Sequence, residues 1–146
     1  MGDPGRILVA DDEPAIREVL TEFFEDEGFS VATAPDGPPA LRLLREAAYH
    51  VLLLDIRMPG MDGLTVLREL QRLPHPPGVL MVTAVRDEAA GREALALGAA
   101  DYITKPFDLE YLELRVVTKI ITVLEGEPGQ PGPRMGDLIR GQDPNR

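Results

Sequence analysis

The sequence contains no cysteine. Disulfides, thiolate metal sites and cysteine nucleophiles are therefore excluded. Lysine is nearly missing too. Of 15 basic residues only two are lysines, Lys105 and Lys119, and the rest are arginine. A lysine kept in such a chain calls for a reason. No apolar run approaches the roughly 18 residues that a membrane-spanning helix needs. The opening residues, MGDPGRILVA, lead straight into a strand-like segment without the leader pattern of a secreted protein. A soluble, cytoplasmic protein with no membrane contact is expected. Positive charge is also short, with a formal net charge of −10. That balance argues against direct nucleic-acid binding by this chain, because neutralising phosphates takes Lys and Arg.

What is present suits one folded domain with a short appendage. The chain has 146 residues, and 44% of them are hydrophobic, enough for a core. Residues 125–146 are rich in Gly and Pro and carry no apolar periodicity. They read as a tail, or as a linker to a missing output domain. The folded domain is expected over residues 4–124.

Within that span two patterns alternate. Short apolar runs lie at Ile7–Ala10, Val31–Ala34, Val51–Leu54, Val79–Val82 and Tyr102–Thr104. Most are apolar at both parities, as parallel strands buried on both faces require. Helical stripes lie between them. Ile16, Val19, Leu20, Phe23 and Phe24 form the first, and Gly28 ends it. Leu41, Leu44 and Ala48 form a weaker second. Leu64, Leu67 and Leu70 form the third, Ala90, Ala94 and Leu97 the fourth. The last helical segment runs from Asp108 to Leu124. Five strand–helix units imply an α/β fold, a doubly wound parallel sheet with right-handed crossovers and strand order 2-1-3-4-5. Ligands of such sheets bind beyond the carboxyl ends of the strands.

Those ends carry chemistry. Strand one ends in Asp11-Asp12-Glu13, strand three in Asp55, strand four in Thr83, and strand five in Thr104-Lys105-Pro106. Each has an ordinary explanation alone: Asp12 as a helix N-cap, Asp55 as a turn residue, Thr83 as a strand end, Lys105 as a solvated cation. Together they make a different case. Converging carboxylates repel one another and call for a counter-charge. A hard divalent cation such as Mg²⁺, which prefers oxygen ligands and retains waters, answers that need. With an amine and a hydroxyl beside it, the set suits a phosphoryl group.

The stretches ILVADDE (7–13), LLLDIRMPGMDGL (53–64), VLMVTA (79–84) and GAADYITKPF (98–107) closely resemble the receiver domain of bacterial two-component response regulators. The resemblance covers about residues 5–124 and implies a flavodoxin-like (βα)5 fold. It implies a signalling switch, not an enzyme with an external substrate: the domain catalyses only its own phosphorylation and dephosphorylation. By position, Asp55 accepts a phosphoryl group from a sensor histidine kinase or phosphotransfer protein. Asp12 binds Mg²⁺ directly, Asp11 through water, and Asp55 and the carbonyl of Arg57 complete the protein ligands. Lys105 pairs with Asp55 and then with a phosphoryl oxygen. Thr83 bonds the phosphoryl group, and Tyr102 is the switch aromatic. The bond to Pro106 is expected to be cis. The surface formed by the fourth helix, fifth strand and fifth helix would report the change, and the first helix would dock the kinase. Arg57 and Val85 flank the site where water enters.

Three other readings compete. A phosphorylation-independent scaffold would usually lack part of the Asp11, Asp12, Asp55, Thr83, Lys105 set. An FMN-binding protein would need a hydroxyl-rich loop after strand one, where this chain has Asp-Asp-Glu. An aspartyl phosphatase would need a nucleophile on strand one and a cap. His50 and His75 are read as surface residues. Finally, the last helix carries two apolar stripes. Leu109, Leu112, Val116, Ile120 and Val123 face the core, while Leu114, Val117, Ile121 and Leu124 repeat on an adjacent face. The second stripe is either the margin of a broad buried face or an association surface, such as that of a homodimer.

Overall fold

The computed structural model describes residues 5–125. Of the tail expected over 125–146, Glu125 instead ends the last helix, while 126–146 and Pro4 lie outside the described residues. The elements alternate from end to end: β1 Arg6–Ala10, α1 Pro14–Asp26, β2 Ser30–Ala34, α2 Gly37–Glu46, β3 Val51–Leu54, α3 Gly63–Leu70, β4 Gly78–Thr83, α4 Glu88–Ala96, β5 Asp101–Thr104 and α5 Leu109–Glu125. The strands form one sheet in the order β2-β1-β3-β4-β5. Every neighbouring pair is parallel. Each strand leaves its helix on one face of the sheet or the other, as the crossover rule demands.

Alternation along the strands divides the core in two. Leu8, Leu52, Leu54, Val79 and Met81 point to the face covered by Leu41 and Leu44 of α2, Val66, Leu67 and Leu70 of α3, and Ala94 of α4. Ile7, Val9, Leu53, Leu80 and Val82 point to the other, against Leu20 and Phe24 of α1 and Leu112, Val116 and Ile120 of α5. The central strands β3 and β4 are buried at every residue. That is why their sequences show no polar alternation.

The structure trims several expectations. Helix α2 stops at Glu46, because Ala47 turns to extended backbone (φ −150°, ψ 160°). Ala48 thus lies outside the helix and is exposed. In α1, Val19 is 44% exposed, so the apolar stripe is wider than the contact it makes. His50 is not a plain surface residue. It is partly buried, and its Nδ1 accepts the backbone N–H of Arg6 at 2.9 Å. It thereby satisfies a donor at the start of β1. His75 is exposed, as expected. Lys119 has its aliphatic stem laid over Gly78: a Cβ there would fall 2.6 Å from Lys119 Cγ and 2.5 Å from Cε. The stem covers the sheet end where a side chain would not fit.

Candidate functional site

Strand register places the first carboxylates. Ala10 and Leu54 are partners across β1 and β3. The next residues, Asp11 and Asp55, follow abreast, with the Asp55 N–H donating to Ala10 O at 3.0 Å. Likewise Thr83 and Thr104 are partners across β4 and β5, and the Lys105 N–H donates to Thr83 O at 2.9 Å. The Lys105–Pro106 peptide bond is cis. The carboxyl ends of β1, β3, β4 and β5 therefore share one crevice.

Lys105 occupies its middle, with only 12% of its side chain exposed. Its ammonium lies 2.8 Å from Asp11 Oδ2, 2.7 Å from Glu13 Oε1 and 3.0 Å from Asp55 Oδ2. Three N–H donors thus face three carboxylate oxygens. Asp11 and Asp55 are buried, at 3% and 5% exposure. Each has a second contact. Asp11 Oδ1 accepts the Glu13 N–H at 2.9 Å, and Asp55 Oδ1 accepts the Arg57 N–H at 3.3 Å. Arg17 donates to the Asp11 carbonyl at 2.8 Å, fixing the turn into α1.

Burial pushes the Asp11 carboxyl above its usual value, against the hydrogen bonds from Lys105 and the Glu13 N–H. For Lys105, burial works to lower the value, but hydrogen bonds to Asp11, Glu13 and Asp55 outweigh it and hold the amine firmly protonated. One ammonium still faces several acids. Carboxylate oxygens of Asp11, Asp12 and Asp55 lie within 4.8 Å of one another. A cluster of hard oxygen donors short of positive charge fits a Mg²⁺ ion. Beside it, Asp12, Arg57, Met58, Asp62 and Val85 line an open cleft.

Thr83 and Tyr102 meet at one residue. The Val85 N–H donates to buried Thr83 Oγ1 at 3.3 Å, and the Tyr102 hydroxyl donates to the Val85 carbonyl at 2.6 Å. Burial raises the Tyr102 phenol above its usual value, and the charges of Asp87 and Asp55 add to that. Arg86 ties the same connection to the Lys105 carbonyl at 2.9 Å.

Two residues at the crevice were given no role from the sequence. Gly63 begins α3 directly beneath Asp55: a Cβ there would lie 2.1 Å from the Asp55 carbonyl oxygen. Its N–H donates to Ile56 O at 2.7 Å. The legible signal was Asp62-Gly63 at a helix start, where Asp62 caps the Thr65 N–H at 3.0 Å. The second is Glu13. It occupies the N-cap position of α1, yet its side chain makes no capping bond, so Asp12 is not the cap either. Glutamate is a poor capper, and that mismatch was the available clue.

Away from the crevice, the second stripe of α5 lies outside the core. Leu114, Val117, Ile121 and Leu124 are 59%, 37%, 46% and 66% exposed. Among the described residues, no helix is long and apolar enough to cross a membrane.

Comparisons with known proteins point to one family. The family model of the response regulator receiver domain matches residues 7–117. The regulatory protein AtoC of Escherichia coli is 41% identical over 111 residues, covering 76% of this chain and 24% of AtoC. The transcriptional regulatory protein YkoG of Bacillus subtilis is 38% identical over 117 residues, covering 78% of this chain and 50% of YkoG. The chain thus spans a quarter to a half of the length of these relatives. Among solved structures, the response regulator TrrA of Thermotoga maritima, in complex with Mg²⁺-BeF, is 35% identical with a TM-score of 0.70, covering 78% of this chain and 97% of TrrA.

Proposed function

Since the chain belongs to the response regulator receiver domain family, we propose that Asp55 accepts a phosphoryl group from a phosphohistidine of a sensor kinase or phosphotransfer protein. The observation that carries this reading is the setting of Asp55: a buried carboxylate at the end of a central strand, 3.0 Å from the Lys105 ammonium. An Asp55 oxygen attacks phosphorus, the new O–P bond forms as the donor's N–P bond breaks, and the imidazole leaves. Lys105 supplies positive charge to the transferring oxygens. Asp11, Asp12, Asp55 and the Arg57 carbonyl would hold Mg²⁺, which when bound neutralises charge on the phosphoryl oxygens. Water attacking the same phosphorus reverses the modification, with Arg57 and Val85 at the mouth.

The signal starts at Thr83. A phosphoryl oxygen on Asp55 accepts the Thr83 O–H and draws the side chain toward itself, away from the Val85 N–H that Thr83 Oγ1 now accepts. Val85 also carries the Tyr102 hydroxyl. Drawing on Thr83 therefore disturbs Tyr102 and the α4–β5–α5 surface, a local event that biases a two-state element. For the donor, a groove lined by Ile16, Val19, Pro106, Phe107 and Leu109 opens beside Lys105, and Val19 is exposed on it. We assign kinase docking to this α1 side, and a linker role toward an output domain to residues 126–146.

The test is direct. Protein incubated with Mg²⁺ and acetyl phosphate should gain one hydroxylamine-labile phosphoryl group by intact mass, as an acyl phosphate does, and Asp55→Asn should gain none. Failure to take up phosphoryl from any donor would overturn the assignment.

A further inference from the structure

We propose that Glu13 is a positioning residue: an exchangeable partner that holds the third N–H of Lys105 until a phosphoryl oxygen on Asp55 takes it. This rests on the reading of Asp55 as acceptor and adds to it a residue that controls how readily Lys105 is available.

Donor supply limits the exchange. Lys105 has three N–H groups, and three carboxylates hold it at 2.8, 2.7 and 3.0 Å. A phosphoryl group on Asp55 brings several acceptor oxygens: Asp55 Oδ2 can hand its own N–H to one of them, and a second calls on the N–H held by Asp11 or by Glu13. Asp11 is ill placed to yield it: its side chain is 4% exposed, and its other oxygen is bound to the Glu13 N–H. An anion left there would be buried without its cation, which is costly. Glu13 differs. Its side chain is 57% exposed, so water can take over its carboxylate at once. Nothing in α1 uses that side chain, although it stands at the N-cap. It reaches instead across 92 positions of sequence to Lys105. The backbone of Glu13 serves the helix, since its carbonyl accepts the N–H groups of Ile16 and Arg17. Substituting the side chain leaves those bonds alone.

The test is Glu13→Gln, which keeps an oxygen acceptor and removes the charge. Two readouts are needed. The first is the rate of phosphoryl uptake from acetyl phosphate at saturating Mg²⁺. The second is the ammonium ¹⁵N signal of Lys105. With only two lysines in the sequence, Lys119→Arg assigns that signal. An exposed ion pair lost from a competing state should raise uptake about two- to fivefold. The Lys105 signal of the unphosphorylated variant should also move toward the position seen with beryllofluoride and Mg²⁺. Unchanged uptake, or faster uptake with an unmoved Lys105 signal, overturns the inference; the latter would mean that Glu13 acts only through bulk charge. If wild-type protein takes up neither phosphoryl nor beryllofluoride, the acceptor reading itself fails, a result separate from any behaviour of the variant.

Discussion

Gly63→Ala would test whether the start of α3 positions Asp55, the proposed acceptor. The added Cβ would stand 2.1 Å from the Asp55 carbonyl oxygen and 2.9 Å from both Asp55 C and Ile56 Cα. Ordinary contact begins near 3.4 Å, so the first distance is short by 1.3 Å (3.4 − 2.1). All three atoms are backbone, so no flexible side chain can step aside. Either α3 retreats, losing the 2.7 Å bond from the Gly63 N–H to Ile56 O, or Asp55 shifts. Overpacking of this kind costs about 1–3 kcal/mol, and the lost hydrogen bond about 1 kcal/mol more. A cost of about 3 kcal/mol lowers Tm by roughly 12 °C for a domain of this size. In the molecules that remain folded, a displacement of about 1 Å should slow phosphoryl uptake on the order of 100-fold. Gly60 is the control. It has φ +81° and nothing within 4 Å of an added Cβ. Gly60→Ala should therefore cost about 1–2 kcal/mol through backbone strain alone, with uptake close to wild type. Calorimetry and acetyl phosphate uptake measure both variants. A Gly63→Ala protein that melts and reacts like wild type would refute the packing argument.

Three further outcomes are expected. The Asp11 carboxyl lies above its usual value in the folded protein, so its contribution to stability falls as pH rises from the ordinary carboxylate value through the raised one. Asp11→Asn should then be more stable than wild type at neutral pH without Mg²⁺, an advantage that shrinks on acidification and is accompanied by weaker stabilisation when Mg²⁺ is added. Denaturant melts with and without the ion measure this. Tyr102→Phe removes the bond to Val85 O, at a cost of about 1 kcal/mol, and should speed amide exchange at Val85. If the exposed stripe of α5 pairs two copies, light scattering with beryllofluoride and Mg²⁺ should read a dimer that Ile121→Asp returns to a monomer; a strict monomer in the wild type ends that use of the face.

The sheet was legible because parallel strands buried on both faces carry unbroken apolar runs, and β3 and β4 do. Helix limits were less so. Nothing in Ala47-Ala48 announces a break, since alanine is at home in a helix; the turn toward Tyr49 and His50 is imposed by tertiary contacts. Those include the Arg6 guanidinium lying 4.8 Å from the Tyr49 ring centroid. The acidic run and Lys105 were legible as a group because strand order brings strand ends together. The role of Glu13 was not, for a partner so distant in sequence leaves no periodic mark. Gly63 was hidden for a related reason: a glycine needed for close approach looks like any turn glycine until the opposing backbone is placed. Lys119 and Gly78 explain one another only in three dimensions.

The sheet is not equally firm across its width. Asp55 directly follows β3, which is paired on both sides and buried at every residue. Tyr102 stands on β5, a strand at the edge, where only Ile103 is fully buried. On the proposed reading of Asp55, work done beside the stiff centre is taken up at the compliant rim. Elements with little burial open at the lowest free energy. If Asp55 is the acceptor proposed above, a small amount of work there goes into moving the part of the molecule that is cheapest to move, and the strand that would bear the chemistry can stay still while it does so.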